Sequence, residues 1–121
     1  MLALQGFVAE RDGQLVGILT YRREGKDCEL AFVAALERRL GIGTRLLEAL
    51  RQAVADCDCI WLVTTNDNLD ALRFYQRRGF VLLALRPGAV DEAWQELKPQ
   101  IGLVGELGIP LRDELELELR L

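Results

Sequence analysis

A predicted strand runs directly into a glycine-containing loop and then into a helix, and this order most constrains the fold of the chain. The strand is predicted over Asp27 to Ala34 and the helix over Thr44 to about Ala55, with Gly41 and Gly43 between them. The first turn of a helix leaves backbone N–H groups without helical partners and carries a partial positive charge. Glycines let a phosphate approach those groups closely, so the segment predicts a phosphate-binding turn.

Two common nucleotide-binding motifs do not fit the spacing of these glycines. A dinucleotide fingerprint requires a third glycine three residues after the second, and that position is Leu46. A P-loop requires Gly-Lys followed by Ser or Thr, whereas Gly43 is followed by Thr44-Arg45. A lone Gly-x-Gly more often makes only a turn, so other parts of the chain must decide its role.

The periodicity of the other segments predicts a mixed α+β fold in one domain spanning residues 1–121. Asp12-Gly13 is typical of a tight hairpin turn, and Gly79 predicts a left-handed stop to a helix. Residues 99–113 are predicted to form an ordered loop. Strands are predicted at 7–10, 15–21, 59–65, 80–85 and 114–121, and further helices at 69–78 and 91–97.

Composition disfavours several kinds of chemistry and several partners. The 121 residues include no histidine, which removes the commonest general base and metal ligand, and the three cysteines lack zinc-ligand spacing. We therefore expect no metal. The net charge of −4 disfavours nucleic-acid binding, and no apolar run is long enough to span a bilayer. The start of the chain has no secretory pattern, so we expect a cytoplasmic protein.

Two motifs together resemble those of the GCN5-related N-acetyltransferase (GNAT) family. Arg38-x-x-Gly41-x-Gly43 is similar to its pyrophosphate-binding signature, Gln/Arg-x-x-Gly-x-Gly/Ala. Asn68-x-x-Ala71-x-x-x-Tyr75-x-x-x-Gly79-Phe80 resembles the next conserved block, in the family's order. The resemblance covers about Gly6 to Phe80. It implies a mostly antiparallel central sheet flanked by helices, and direct transfer of an acetyl group from acetyl-CoA to a primary amine of a small molecule or peptide.

The resemblance also implies which residues bind acetyl-CoA. The main chain at the end of the strand before the loop would bond the pantetheine arm, and the loop amides would bind the pyrophosphate. Asn68 is equally well explained as the N-cap of the second helix. The implied cofactor-binding residues are Phe32, Val33, Ala34, Arg38, Arg39, Gly41, Ile42, Gly43, Thr44 and Asn68.

Tyr75 and Glu29 are the implied catalytic residues. Tyr75 would protonate the departing CoA thiolate, although a tyrosine in this helix also suits the core. Glu29 would accept the amine proton, and strand alternation predicts that it shares a face with Ala31 and Val33. A half-exposed structural glutamate explains Glu29 as well, and water can relay the proton. Weaker candidates for the base are Glu10 and Glu37; Cys28 is disfavoured as a nucleophile because no histidine can activate it.

The chain departs from the family at its start, because only six residues precede the first predicted strand, where family members usually have a strand and helices. The acceptor side therefore looks short. A second copy in a homodimer, or residues 99–113, would complete it. Two alternatives stay open: a non-catalytic acyl-CoA-binding or interaction module, and a structural domain whose glycines only make turns.

Overall fold

The computed structural model describes residues 4–36, 41–90 and 104–121. The predicted helix at 91–97 therefore lies outside the described residues. No helix in the described part of the chain is long and apolar enough to cross a membrane. The elements in chain order are β1 (Gln5–Arg11), β2 (Gln14–Glu24), β3 (Asp27–Ala35), α1 (Ile42–Ala53), β4 (Cys59–Thr65), α2 (Leu69–Arg77), β5 (Val81–Arg86) and β6 (Glu114–Arg120).

The chain forms two compact units, and the N-terminal unit comprises the residues up to Trp61 with Arg120–Leu121. Its strands lie in the order β1-β2-β3-β4, antiparallel except for the β3–β4 pair. Helix α1 packs on β1, β2 and β3. A Cβ at Gly17 in β2 would overlap Ile42 of α1, so this glycine permits the close packing of the helix. The predicted apolar face of the helix is buried: Leu46, Leu47, Leu50 and Val54.

A β-bulge interrupts β3 in the middle of its pairing with β2. Tyr21 lies opposite Leu30, and the next residue of β2, Thr20, lies opposite Phe32. Ala31 is therefore an extra residue without a partner on β2. A bulge of this kind bends its strand and increases the local twist.

The bulge overturns one prediction from strand alternation. Residues that lie opposite each other in a sheet point to the same face, so Glu29, opposite Arg22, shares its face with Phe32. Val33 lies on the other face. The prediction that Glu29, Ala31 and Val33 share a face is wrong because the extra residue shifts the alternation by one.

The C-terminal unit, Leu62–Leu119, contains the strand order β4-β6-β5, and β5 and β6 are antiparallel. Helix α2 contacts β5. Gly79 ends the helix with φ 98°, as predicted, and the rings of Tyr75 and Phe80 lie 5.3 Å apart. These strands and helices confirm the predicted mixed α+β fold with a mostly antiparallel sheet.

The described part of the predicted ordered loop, residues 104–113, contains a small hairpin. Val104 pairs with Pro110, and the N–H of Gly105 donates to Ile109 O. The N–H of Ile109 donates to Glu106 O at 3.1 Å, which closes a turn over residues 106–109. Leu107 has φ 58° and Gly108 has φ 73°. Positive φ at both central residues is the geometry of a type I′ turn, which asparagine and glycine usually occupy.

Candidate functional site

The end of β3 is the first part of the candidate site, because its ladder to β4 stops early. Pairing with β4 covers Asp27 to Glu29 and ends just before the bulge. Phe32, Val33 and Ala34, predicted to bind the pantetheine arm, follow the bulge. Phe32 is 55% exposed and the other two are half-buried.

Hydrogen-bonded and unbonded positions alternate along β3, and this alternation determines which main-chain groups are available to a ligand. Leu36 N donates to Val16 O at 2.8 Å, and in an antiparallel pair such bonded positions alternate with unbonded ones. Phe32 and Ala34 therefore bond to β2. Val33 lies between them, so its N–H and C=O point away from β2, towards the edge of β3 beyond its pairing with β4. Among the three predicted residues, Val33 is thus the one whose main chain can bond a ligand there.

The turn before α1 is the second part, and it also lies in the N-terminal unit. Gly41 takes the left-handed conformation with φ 68°, and no side chain caps the helix. Arg45 N makes the first helical bond, to Gly41 O at 3.0 Å, so the amides of Ile42 and Gly43 have no helical acceptor. Thr44 follows in the same turn. Arg38 and Arg39, and the weaker base candidate Glu37, lie outside the described residues.

No acidic residue lies in the first turn of α1, so no carboxylate within the helix itself opposes the partial positive charge at its start. A cavity of about 350 Å³ adjoins this turn. Its lining carries two arginines and one carboxylate, and that carboxylate belongs to the weaker base candidate Glu10. The lining residues are Ala9, Glu10, Arg11, Val16, Ile42 and Arg45. The turn and its surroundings are chemically suited to an anion.

Asn68 lies in the C-terminal unit and caps α2. Its Oδ1 accepts from Ala71 N at 3.2 Å, and its Nδ2 donates to Thr64 Oγ1 at 3.3 Å. The N-cap interpretation of the sequence is thus confirmed. One Nδ2 hydrogen and an Oδ1 lone pair remain beyond these two bonds, and they are the groups with which Asn68 could also bind a ligand.

Tyr75 is 6% exposed, and its ring forms a T-shaped pair with that of Phe74, with the ring centroids 5.1 Å apart. Burial raises the pKa of Tyr75 to about 12. The hydroxyl is therefore neutral across the physiological range and always carries a proton to donate. Phe74 is half-buried, and the Arg78 guanidinium lies 3.7 Å from its ring centroid.

Glu29 and Cys28 occupy neighbouring positions on β3 and have different surroundings. Arg22 Nη1 lies 2.7 Å from Glu29 Oε1, and the Glu29 side chain is 26% exposed. The ion pair occupies one carboxylate oxygen. Cys28 is buried, and burial raises the pKa of its thiol to about 11. The thiolate needed for a nucleophile is therefore disfavoured.

Sequence reasoning missed Asp67, the residue before Asn68. It is 7% exposed, and its Oδ1 accepts a hydrogen bond from Thr65 Oγ1 at 2.6 Å. An aspartate before a helix N-cap predicts only a turn residue. The second partner of Asp67 is Glu106 N at 3.0 Å, which lies 39 positions along the chain. Within the described residues, no group of three or more Cys, Asp or Glu side chains is placed to hold a metal.

The predicted site residues divide between the two units. Main-chain groups of β3 and of the turn before α1 belong to the N-terminal unit, and the side chains of Asn68 and Tyr75 belong to the C-terminal unit. The N-terminal unit provides amide donors suited to an anion. The C-terminal unit provides a phenol that retains its proton.

Comparison with known proteins identifies the family of the chain. Residues 2–80 match the model of the Acetyltransferase (GNAT) family. The chain is 44% identical to Bacillus subtilis YdhI over 115 residues, covering 93% of this chain and 71% of YdhI. It is 35% identical over 91 residues to the N-alpha-acetyltransferase of Sulfurisphaera tokodaii, covering 61% of this chain and 54% of that protein.

Solved structures agree with the fold. A GNAT family acetyltransferase from Elizabethkingia anophelis, with acetyl-CoA bound, superposes with a TM-score of 0.79 at 21% identity, over 94% of this chain and 74% of that chain. A Bacillus subtilis acetyltransferase in complex with CoA gives 0.76 at 26% identity, over 94% and 74%. The chain therefore belongs to the GNAT family, as its two motifs predicted: it is a GNAT-type acetyltransferase with acetyl-CoA as its cosubstrate.

Proposed function

We propose that this acetyltransferase moves the acetyl group of acetyl-CoA to a primary amine of a small molecule or a peptide by direct transfer. The observation that carries the proposal is a set of main-chain donors in the N-terminal unit, and a proton-retaining phenol in the C-terminal unit supports it separately. The donors are the amides that begin α1 and the outward-facing Val33, and the phenol is Tyr75. The chain has no histidine to activate a thiol, and burial raises the pKa of Cys28, so a covalent acyl-enzyme route is disfavoured.

The residues fit a pyrophosphate-bearing cosubstrate. A left-handed Gly41 whose Cβ position faces open space, followed by uncapped amides, leaves room for an anion at the helix start. We assign the pyrophosphate to the amides of Gly41 to Thr44, with Arg38 and Arg39 as supporting charges. Val33 would bond the pantetheine arm through its main chain, beside Phe32 and Ala34. Asn68 would contribute its side-chain amide.

Acetyl transfer needs a neutral amine, although a lysine-like amine has a pKa of about 10.4 and is mostly protonated at neutral pH. Glu29 accepts the amine proton in this proposal, directly or through water. The amine nitrogen then bonds to the acetyl carbonyl carbon, the carbon–sulfur bond breaks, and the nitrogen releases its second proton to water. A proton from water later replaces the one that is donated to the sulfur. A main-chain N–H near Val33 stabilises the charge that develops on the carbonyl oxygen.

Tyr75 Oη donates its proton to the departing sulfur in the same proposal. A thiol has a pKa of about 8.5, well below the value to which burial raises the pKa of Tyr75. Donation from the buried phenol is therefore uphill. We expect a hydrogen bond to the developing thiolate, which stabilises it, to be as important as complete proton transfer.

Buried thiols and exposed apolar strands support two finer proposals. None of the three cysteines is in a disulfide, which is typical of the cytoplasm, the proposed location. In the N-terminal unit, Val8 is 58% and Phe32 55% exposed, an apolar surface that a second copy in a homodimer would cover. Light scattering would test the dimer. That residues 1–121 act as one catalytic domain stays a prediction.

The second candidate is an acyl-CoA-binding module without efficient transfer. The observation that favours it is the ion pair between Arg22 and Glu29, which engages the proposed base. Both candidates require acetyl-CoA binding and differ in turnover. Release of thiol that depends on an added amine distinguishes them.

Calorimetric titration with acetyl-CoA tests the proposal. We expect saturable one-site binding that is lost in Gly43→Val, because a branched side chain would occupy the anion turn. Gly13→Val is a control for general destabilisation, since Gly13 lies in the β1–β2 hairpin, where its Cβ position is open but its φ of 79° strains any side chain. A folded protein that does not bind acetyl-CoA would contradict the proposal. With binding established, a panel of amines is screened for acceptor-dependent thiol release.

A further inference from the structure

Asp67 is a buried carboxylate that the proposed chemistry does not use. Thr65 Oγ1 donates to its Oδ1 at 2.6 Å, and Glu106 N donates to its Oδ2 at 3.0 Å. Burial acts to raise the pKa of Asp67, but the hydrogen bonds from Thr65 and Glu106 outweigh it, and the pKa lies below its ordinary value. A carboxylate whose oxygens are satisfied in this way holds its two donors together at low dielectric.

Gly105 is fitted against this carboxylate. A Cβ at Gly105 would overlap the Oδ2, Cγ and Cβ atoms of Asp67. The backbone of Gly105 is extended, with φ −90°, so a larger residue is excluded by contact and not by conformation. The hairpin therefore approaches Asp67 as closely as a main chain can.

The other end of the same segment is held by the preceding residue, Asn66. Its side-chain Oδ1 accepts from the N–H groups of Arg112 and Asp113 at 3.0 and 2.9 Å, and its Nδ2 donates to Pro110 O at 2.9 Å. Two consecutive residues thus fix both ends of the segment from Gly105 to Asp113. The hairpin is a bonded part of the turn between β4 and α2.

That turn carries Asn68. The N–H of Asn68 donates to Thr65 O at 3.1 Å, and its side-chain Nδ2 donates to Thr64 Oγ1 at 3.3 Å. Leu69 N donates to Asp67 O at 2.9 Å. Thr65 therefore holds Asp67 through its hydroxyl and Asn68 through its carbonyl, so a displacement of Asp67 acts directly on the support of Asn68.

We propose that Asp67 is a positioning residue, which joins the turn that carries Asn68 to the Val104–Pro110 hairpin, so that the hairpin sets the position of Asn68 for acetyl-CoA. The inference rests on the proposed contact of Asn68 with acetyl-CoA. It adds a dependence of that contact on a hairpin whose Glu106 lies 39 positions from Asp67 in the chain.

Two variants disturb the contact between Asp67 and the Val104–Pro110 hairpin, one from each side; we call this contact the joint. Asp67→Asn replaces one accepting oxygen by a donor, so that one of the two bonds is lost. Gly105→Ala displaces the carboxylate from the side of the hairpin. We expect each to weaken acetyl-CoA binding about fivefold in calorimetry. Glu106→Ala is the matched control, because only the main chain of the exposed Glu106 contacts Asp67, and we expect less than a twofold change.

A double variant separates positioning from general destabilisation. If Asp67 acts through Asn68, Asp67→Asn changes the affinity less than twofold in an Asn68→Ala background, because residues that act as a unit are not additive. An equal effect in both backgrounds would overturn the inference. So would a lower melting temperature of Asp67→Asn with unchanged affinity of the folded protein.

Amide hydrogen exchange of the ligand-free protein tests the joint independently of the proposed function. The N–H of Ala71 is bonded to Asn68 Oδ1, so it should exchange at least fivefold faster in Asp67→Asn than in Glu106→Ala. Equal exchange in the two variants rejects positioning by Asp67, whatever binds the protein. Faster exchange in a protein that does not bind acetyl-CoA would instead reject the proposed function and leave the joint standing.

Discussion

The proposed acetyl-CoA contacts differ in kind between the two units of the chain. The N-terminal unit offers main-chain groups, placed by a bulge at Ala31 and a left-handed Gly41. The C-terminal unit offers the side chains of Asn68 and Tyr75, held by hydrogen bonds and ring packing. A main-chain site tolerates changes of side chain but not of backbone conformation. A side-chain site has the opposite sensitivity, and this difference makes the comparison testable.

Alkaline unfolding gives the largest effect and compares one buried acid from each unit. The pKa of Tyr75 is raised from 10.0 to about 12, so the folded state favours its neutral form. The resulting stability, about 3 kcal/mol, is complete below pH 10 and lost as the pH rises towards 12. Cys28 acts with the same sign between pH 9 and 11.

The free energy of unfolding, measured by urea titration from pH 8 to 12, checks this expectation. Tyr75→Phe should flatten the loss above pH 10, and Cys28→Ala should flatten the loss that begins near pH 9. If neither variant alters the profile, burial of these groups does not control alkaline stability.

Replacement of the phenol gives the next effect and tests the side-chain half. We expect Tyr75→Phe to lower kcat about 10²-fold, because it removes the proton for the sulfur, with acetyl-CoA affinity within twofold. Tyr21→Phe is the matched control: Tyr21 is also 6% exposed, and its hydroxyl bonds Gln5 at 2.8 Å in the other unit. An unchanged kcat in Tyr75→Phe would show that Tyr75 is only an aromatic residue of the core.

A pair of glycines tests the main-chain half. Gly41 and Gly25 have φ 68° and 62°, and the Cβ position of each faces open space. Alanine should therefore cost about 1 kcal/mol of stability at either position. Only Gly41→Ala should weaken acetyl-CoA binding, about tenfold by calorimetry, since Gly25 lies in the β2–β3 turn. Equal affinities of the two variants for acetyl-CoA would show that the start of α1 is not part of the binding site.

The smallest effect concerns the hairpin joined to Asp67. Leu107 occupies a left-handed position with φ 58°, and its side chain is 83% exposed. Asparagine tolerates this conformation better than leucine, so Leu107→Asn should stabilise the protein by up to about 1 kcal/mol. Leu107→Val, a β-branched control, should destabilise it. A urea midpoint that is unchanged or lower in Leu107→Asn would mean that the turn is not strained.

The sequence predicted what local pattern controls and missed what distant contacts control. The buried face of α1 and the left-handed Gly79 follow from spacing and from glycine chemistry, and both were found where expected. The bulge was missed because alternation carries no signal for an unpaired residue until the partner strand is in place. Asp67 was missed because Gly105, which explains it, belongs to a segment that looks like an ordinary loop.

Ala31 contributes to the fold because it is an extra residue in the strand, and not through the chemistry of its side chain. It is exposed and has no partner on β2. A scan by substitution should therefore rank Ala31 as unimportant, whereas deletion of the residue would straighten the strand and remove the bend that precedes Val33. Mutational tolerance at this position is a property of chain length, and a library built only from substitutions would not detect it.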